Sequence, residues 1–153
     1  LGENKMADAA SVTFTATILP DEIAKTLSGS ITVTPADAND KWYYKLTAVS
    51  DSSVDLIAGN YLGYTAIATG TGMTAVASGD KVKFLYVQNT HASTDVYIVG
   101  NAAASTSAAG NIYIPAGESV ALRLPNSTVA DLHAITSTGS ATCIVAALLD
   151  DVA

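Results

Sequence analysis

KVKFLYVQN at 81–89, STDVYIVG at 93–100, NIYI at 111–114, Pro115-Ala116-Gly117 and ESVALRL at 118–124 decide the reading of this chain. These are short β-branched and aromatic runs cut by turn residues, with almost no side chain able to do covalent chemistry. They predict a β protein whose product is a surface. Val82, Phe84 and Tyr86 share one face, as do Val96 and Ile98, and Val120, Leu122 and Leu124, so these are expected to build the core. Leu85, Val87, Tyr97 and Val99 then form a second apolar surface that a lone two-layer sheet does not account for. Ile114-Pro115-Ala116-Gly117 fits a type I turn with Pro second and Gly fourth, which predicts a hairpin between 111–114 and 118–124. Residues 102–110, all small, are expected to form a mobile or contact-ordered loop.

Working outward, residues 1–10 lack a periodic pattern and are expected to form an extended arm. In 11–18, Val12, Phe14, Ala16 and Ile18 alternate with Ser11, Thr13, Thr15 and Thr17, the pattern of a half-buried strand. Pro20, followed by Asp21 and Glu22, predicts one or two turns of connector helix through Leu27, then a strand over 30–34. Residues 36–40 read as an Asx-rich turn. In 41–49, Trp42, Tyr44, Leu46 and Ala48 lie on one face, Tyr43, Lys45 and Thr47 on the other, as in a central strand anchoring the core. Short strands follow over 54–58 and 61–68, then the glycine turn Thr69-Gly70-Thr71-Gly72. Residues 132–137 and 141–149 close the domain, and the non-alternating ATCIVAALL implies burial on both faces, by the core on one side and a neighbouring subunit on the other. The fold class is therefore all-β: a single antiparallel β-sandwich, jelly-roll-like, of about ten short strands over 11–153, with one short connector helix.

Composition narrows the function classes. The chain has 153 residues, 49% hydrophobic but only 14% charged, where soluble domains carry about 25% charge, which favours an assembled state. Net charge is −7, and the seven basic residues are scattered, which disfavours nucleic-acid binding. The single cysteine excludes an intrachain disulfide, and no Cys/His set has zinc spacing. No apolar run approaches the ~18 residues of a membrane helix and no secretion signal is visible, so a soluble protein with no membrane partner is expected. Met6-Ala7-Asp8 resembles a native start, leaving the origin of Leu1 to Lys5 open.

Candidate chemistry is sparse. A central register lets Cys143 and His133 face one another across the final hairpin, yet a thiolate nucleophile needs an orienting third group and an electropositive setting, and Cys143 sits in an apolar run. Asp51, Ser53 and Asp55 echo a calcium loop, but Leu56 stands where that loop requires Gly. Asp37, Asn39 and Asp40 form a second acidic, solvated turn. Gly70-Thr71-Gly72 lacks the Lys of a phosphate cradle, and the sequon Asn126-Ser127-Thr128 matters only in a secretory pathway. Glu22 and Glu118 are isolated, so no glycosidase pair is evident. Tyr43, Tyr61, Tyr97 and Tyr113 lie opposite the best apolar stripes, where a carbohydrate platform, a protein interface or packing under loops would each use them. No catalytic residue, cofactor or metal is assigned.

Leu19-Pro-Asp-Glu-Ile-Ala-Lys-Thr-Leu-Ser-Gly-Ser30, Asn39-Asp-Lys-Trp-Tyr-Tyr44, Gly79-Asp-Lys-Val-Lys-Phe-Leu-Tyr-Val-Gln-Asn-Thr90, Pro115-Ala-Gly-Glu-Ser-Val120 and the Asp-Asp ending resemble small structural proteins of tailed bacteriophages, particularly capsid decoration or cement proteins. The resemblance, from about Val12 onward, is one of strands and turns. It implies a sandwich or jelly roll, usually trimeric, on the outer capsid surface, clamping subunits of the major capsid protein. Expected contact residues are Leu1, Gly2, Glu3, Asn4 and Lys5 in the arm and Ala103, Ser105 and Ser107 in the small-residue loop. Ile144, Ala146 and Leu148 are expected at a homotrimer seam. The alternatives are a phage tail-tip or fibre-head module that binds carbohydrate or a host receptor, and a hydrolase built on Cys143 and His133.

Overall fold

Alternation of hydroxyl and apolar residues drives the first two strands, β1 (Ala10–Ile18) and β2 (Lys25–Val33), which pair antiparallel from Ala10↔Val33 to Ile18↔Lys25. Lys25, Thr26 and Leu27, expected in a connector helix, belong to β2; residues 19–22 and 24 lie outside those described. The structure, a computed structural model, describes residues 9–18, 23, 25–37, 39–62, 74–101 and 103–152. Its contacts divide the chain into two units, Leu1–Ala36, which holds this hairpin, and Asp37–Ala153.

Among the described residues, eight strands build the second unit: β3 (Asp40–Ser50), β4 (Val54–Asp55), β5 (Lys81–Asn89), β6 (Val96–Gly100), β7 (Ile112–Ile114), β8 (Ser119–Leu122), β9 (Leu132–Thr136) and β10 (Ser140–Asp150). They form two antiparallel four-stranded sheets, ordered β3-β10-β5-β8 and β4-β9-β6-β7. First pairs with last throughout: β3 with β10, β4 with β9, β5 with β8, β6 with β7. This is one long hairpin rolled onto itself, the jelly-roll order, which brings β10 beside β5 and β9 beside β6.

That nesting corrects two expected hairpins. β7 and β8 fall in opposite sheets, so the turn between them is a corner. The Glu118 N–H donates to Pro115 O at 3.0 Å, and Gly117 sits third in that turn with φ +80°. Its positive φ is what a type II turn demands at that place. β9 and β10 part in the same way across Gly139, at φ +64°.

The core lies between the two sheets. Tyr43 and Val49 from β3, Leu85 and Val87 from β5, Val145, Ala147 and Leu149 from β10, and Val96, Ile98, Ala134 and Ile114 from the facing sheet are buried there. Val82, Val96 and Ile98 thus take their expected places between the sheets; Phe84 is buried as expected, at 3% exposure, but on the opposite face of β5, where Tyr86 is half-buried. Leu148 pairs with Phe84 but Leu149 with Val82, leaving Lys83 as the extra residue of a β-bulge. The bulge reverses the parity of β5, so Val82, Leu85 and Val87 point inward and Phe84 and Tyr86 outward.

Candidate interaction faces

With the inward positions assigned, the outer face of the β3-β10-β5-β8 sheet follows from its register. Leu46, Ile144, Gln88 and Ser119 form one row, Tyr44, Ala146, Tyr86 and Ala121 the next, and Trp42, Leu148 and Phe84 a third. The solvent face of an antiparallel sheet is normally polar. Here Tyr44 and Leu46 are 52% and 58% exposed, with Trp42, Ile144, Ala146 and Tyr86 half-buried beside them. The stripe expected to anchor the core is therefore the outward one. Tyr43 takes the inward place because its hydroxyl finds partners there: it donates to Ala58 O at 3.0 Å and accepts from Ala58 N–H at 3.3 Å. Burial pushes the Tyr43 phenol above its ordinary pKa.

The expected seam residues divide. Ile144 and Ala146 lie on this outer face, but Leu148 has no exposed surface and is taken up within the chain. Charge enters near the Trp42 row, where the Lys83 ammonium bonds Asp40 Oδ1 at 2.7 Å with Asp150 Oδ2 at 3.9 Å. The Asp40 hydrogen bond holds the Lys83 pKa above its usual value, against a smaller opposing effect of burial.

The other sheet presents a more polar outer face. Tyr97 and Tyr113 pair across β6 and β7, their rings 5.1 Å apart and tilted by 35°. The Tyr113 hydroxyl donates to Asp95 Oδ2 at 2.9 Å, and Asp95 Oδ1 accepts from Ala116 N–H at 3.1 Å. That hydrogen bond raises the Tyr113 pKa. Of the four tyrosines read as platform, interface or packed side chains, Tyr43 and Tyr61 are buried, at 1% and 3% exposure, as packed side chains. The Tyr61 hydroxyl donates to the fully buried Asp80, whose carboxylate also accepts from Ala77 N–H at 2.8 Å and Val152 N–H at 3.3 Å.

The small-residue loop is tied internally. Asn111 Nδ2 donates to Ser105 O and Thr106 O, and the Ser105 and Ser107 hydroxyls lie 3.2 Å apart. Ala104 N–H donates to Ser53 Oγ at 2.8 Å, while Ala103 and Ser107 are exposed. Leu1 to Lys5, the expected arm contacts, and the Gly70-Thr71-Gly72 turn lie outside the described residues.

The sequence candidates for chemistry are kept apart. His133 lies on β9 with Nδ1 3.4 Å from Asp55 Oδ1, whereas Cys143 is fully buried in the other sheet, where burial pushes its thiol up to about 11. A thiol held protonated in the core, with its histidine in a different sheet, does not form a nucleophilic dyad. Ser53 and Asp55, from the calcium-like turn, are engaged by Ala104 and His133, and among the described residues no group of three His, Cys, Asp or Glu is placed to hold a metal ion. What sequence reasoning missed is Tyr44 and Leu46 as surface residues. A signal lay in β10, which pairs along β3 and is apolar on both faces although only one can meet the core. Compared with known proteins, the chain matches no family model, no curated protein and no solved structure.

Proposed function

We propose that this chain is a structural virion protein, a capsid decoration or cement protein that binds the outer surface of a major capsid protein shell as a homotrimer. The observation that carries the reading is the outward row set of Tyr44, Leu46, Ile144 and Ala146, apolar surface where an unassembled sandwich would place polar residues. A protein of net charge −7 suits the outside of a DNA-filled shell, and its resemblance to phage decoration proteins points the same way. Stabilisation follows from mass action, because a partner that binds only the assembled lattice draws the equilibrium toward it. The test is stoichiometry in purified particles, with a Leu46→Asp variant in parallel. A ratio to the major capsid protein near one, lowered in the variant, supports decoration; a ratio of a few per cent overturns it.

The exposed Tyr113 with the half-buried Tyr97, beside Asp95, favours a second reading, a tail-tip or fibre-head module whose rings stack on a sugar. It predicts glycan binding by the isolated protein that is lost in Tyr113→Ala.

A further inference from the structure

Four strands end the two sheets of the second unit, and three of them are short: β8 has four residues, β7 three and β4 two. The fourth, β3, has eleven. It pairs with β10 on one side in unbroken register, from Asp40↔Asp150 to Ser50↔Ser140, and its other side is a sheet edge. Two hydrogen bonds show which backbone groups face that edge. Trp42 O accepts from Leu62 N–H at 2.8 Å, so Trp42 faces away from β10. Thr142, opposite Ala48, turns its carbonyl to Thr90 N–H at 3.2 Å beyond β5, so Ala48 faces away as well. In an antiparallel pair that orientation recurs at every second residue. Tyr44, Leu46 and Ala48 therefore direct N–H and C=O to the open side, and none of the described residues bonds them there. All three are exposed, Tyr44 at 52% and Leu46 at 58%. Proteins guard such edges with brevity, proline, a bulge or an outward lysine. β3 has no proline and no bulge, and its Lys45 is turned to Ala58 O, which Nζ meets at 3.3 Å.

We propose that the edge of β3 at 44–48 is a strand-addition site, taking an extended peptide segment of another protein. A row of N–H and C=O groups in strand register is satisfied as a whole by another extended backbone, which alone repeats at the same spacing. The flanking side chains set the character of that segment. On the outer face Tyr44 and Leu46 stand beside Ala146 and Ile144, so every second residue of the segment is β-branched or aromatic. On the inner face it meets Lys45 and Thr47, so the residues between are polar. A second copy of β3 is the poorer occupant. Each copy carries Leu62 across the edge at Trp42, which confines a two-fold pairing to 44–48, and each brings a net charge of −7. A single peptide meets one such stop and runs on past Ala48. The edge is open whether or not the chain decorates a shell.

The test is amide hydrogen exchange on the full chain, read by NMR, with and without a peptide of alternating valine and threonine that has lysine at both ends. In the free protein the N–H groups of Tyr44, Leu46 and Ala48 should exchange at least about a hundredfold faster than those of Tyr43, Lys45 and Thr47, which face β10. Peptide at about 1 mM should slow the first set at least about tenfold. Methylating the valine nitrogens, which point at β3, should remove the protection, while methylating the threonine nitrogens, which point away, should leave it. Leu46→Pro deletes an N–H that the ladder with β10 does not use, and should abolish protection with unchanged Trp42 fluorescence. Slow exchange at Tyr44, Leu46 and Ala48 in the free protein overturns the proposal; if it grows with protein concentration, a second copy is the occupant. No protection by the unmethylated peptide overturns it too, as does equal protection by both methylated peptides, which would mean apolar adhesion without strand pairing. The copy number in virions is independent of each of these results.

Discussion

Asn89 shows how one side chain can hold a corner of the fold. It is fully buried; its Nδ2 donates to Thr94 O at 2.7 Å and Ile114 O at 3.2 Å, and its Oδ1 accepts from His91 N–H at 3.1 Å. Its main chain meanwhile bonds Glu118 O and Gly117 N–H, so the end of β5, the 90–95 loop and the sheet-crossing turn meet at one residue. Asn89→Ala strands two carbonyls and an N–H in the interior and is expected to cost about 2–4 kcal/mol. Asn89→Asp should cost more at neutral pH, because an acceptor-only carboxylate would face two carbonyl oxygens. Urea unfolding followed by Trp42 fluorescence checks both, and a loss below about 0.5 kcal/mol for Asn89→Ala would remove the clamp from this account. In sequence Asn89 is only the last letter of a strand. Its role depends on residues five and twenty-five positions away, which no local pattern announces.

At the scale of elements, alternation located the strands but could not say which face was inward. In β3 the more apolar stripe, Trp42, Tyr44 and Leu46, lies outward, and the inward place goes to Tyr43, whose hydroxyl meets Ala58 O. In β5 the bulge at Lys83 inverts the face assignment midway, so Val82 points between the sheets as its alternation predicts, whereas Phe84, equally buried, lies on the opposite face. The two hairpins failed for another reason: the jelly roll pairs first with last, an order that local turn chemistry does not encode. The bulge has a testable use, since it aims Lys83 at Asp40, whose side chain is fully buried while that of Lys83 is 34% exposed. Lys83→Met should cost about 1 kcal/mol at pH 7, a figure discounted because the lysine is partly solvated. The folded-state pKa of Lys83 is raised above 10.5. Its contribution is therefore fully present below about pH 10.5 and is lost as the pH climbs through the higher folded value. The stability gap between wild type and Lys83→Met should hold constant from pH 7 to 10 and close above it. A gap that closes on the acid side instead would assign the effect to a different group.

For the whole molecule the decisive balance is between apolar surface and like charge. Each copy carries −7, so two copies repel at long range, while any attraction through the apolar outward sheet face would act only at contact. Screening shortens the repulsion to about 8 Å at physiological ionic strength and to about 3 Å at 1 M, leaving the contact term in place. Self-association should therefore strengthen with salt, and strengthen again as the pH falls toward the isoelectric point near 4.4, where repulsion vanishes. Binding to a basic partner would show the opposite salt dependence, because its attraction is what the ions screen. Light scattering or sedimentation across 0.05 to 1 M salt at pH 7, repeated in a descending pH series, separates the two. Association that weakens with added salt would shift the explanation from the apolar face of Tyr44 and Leu46 to the acidic side chains around it.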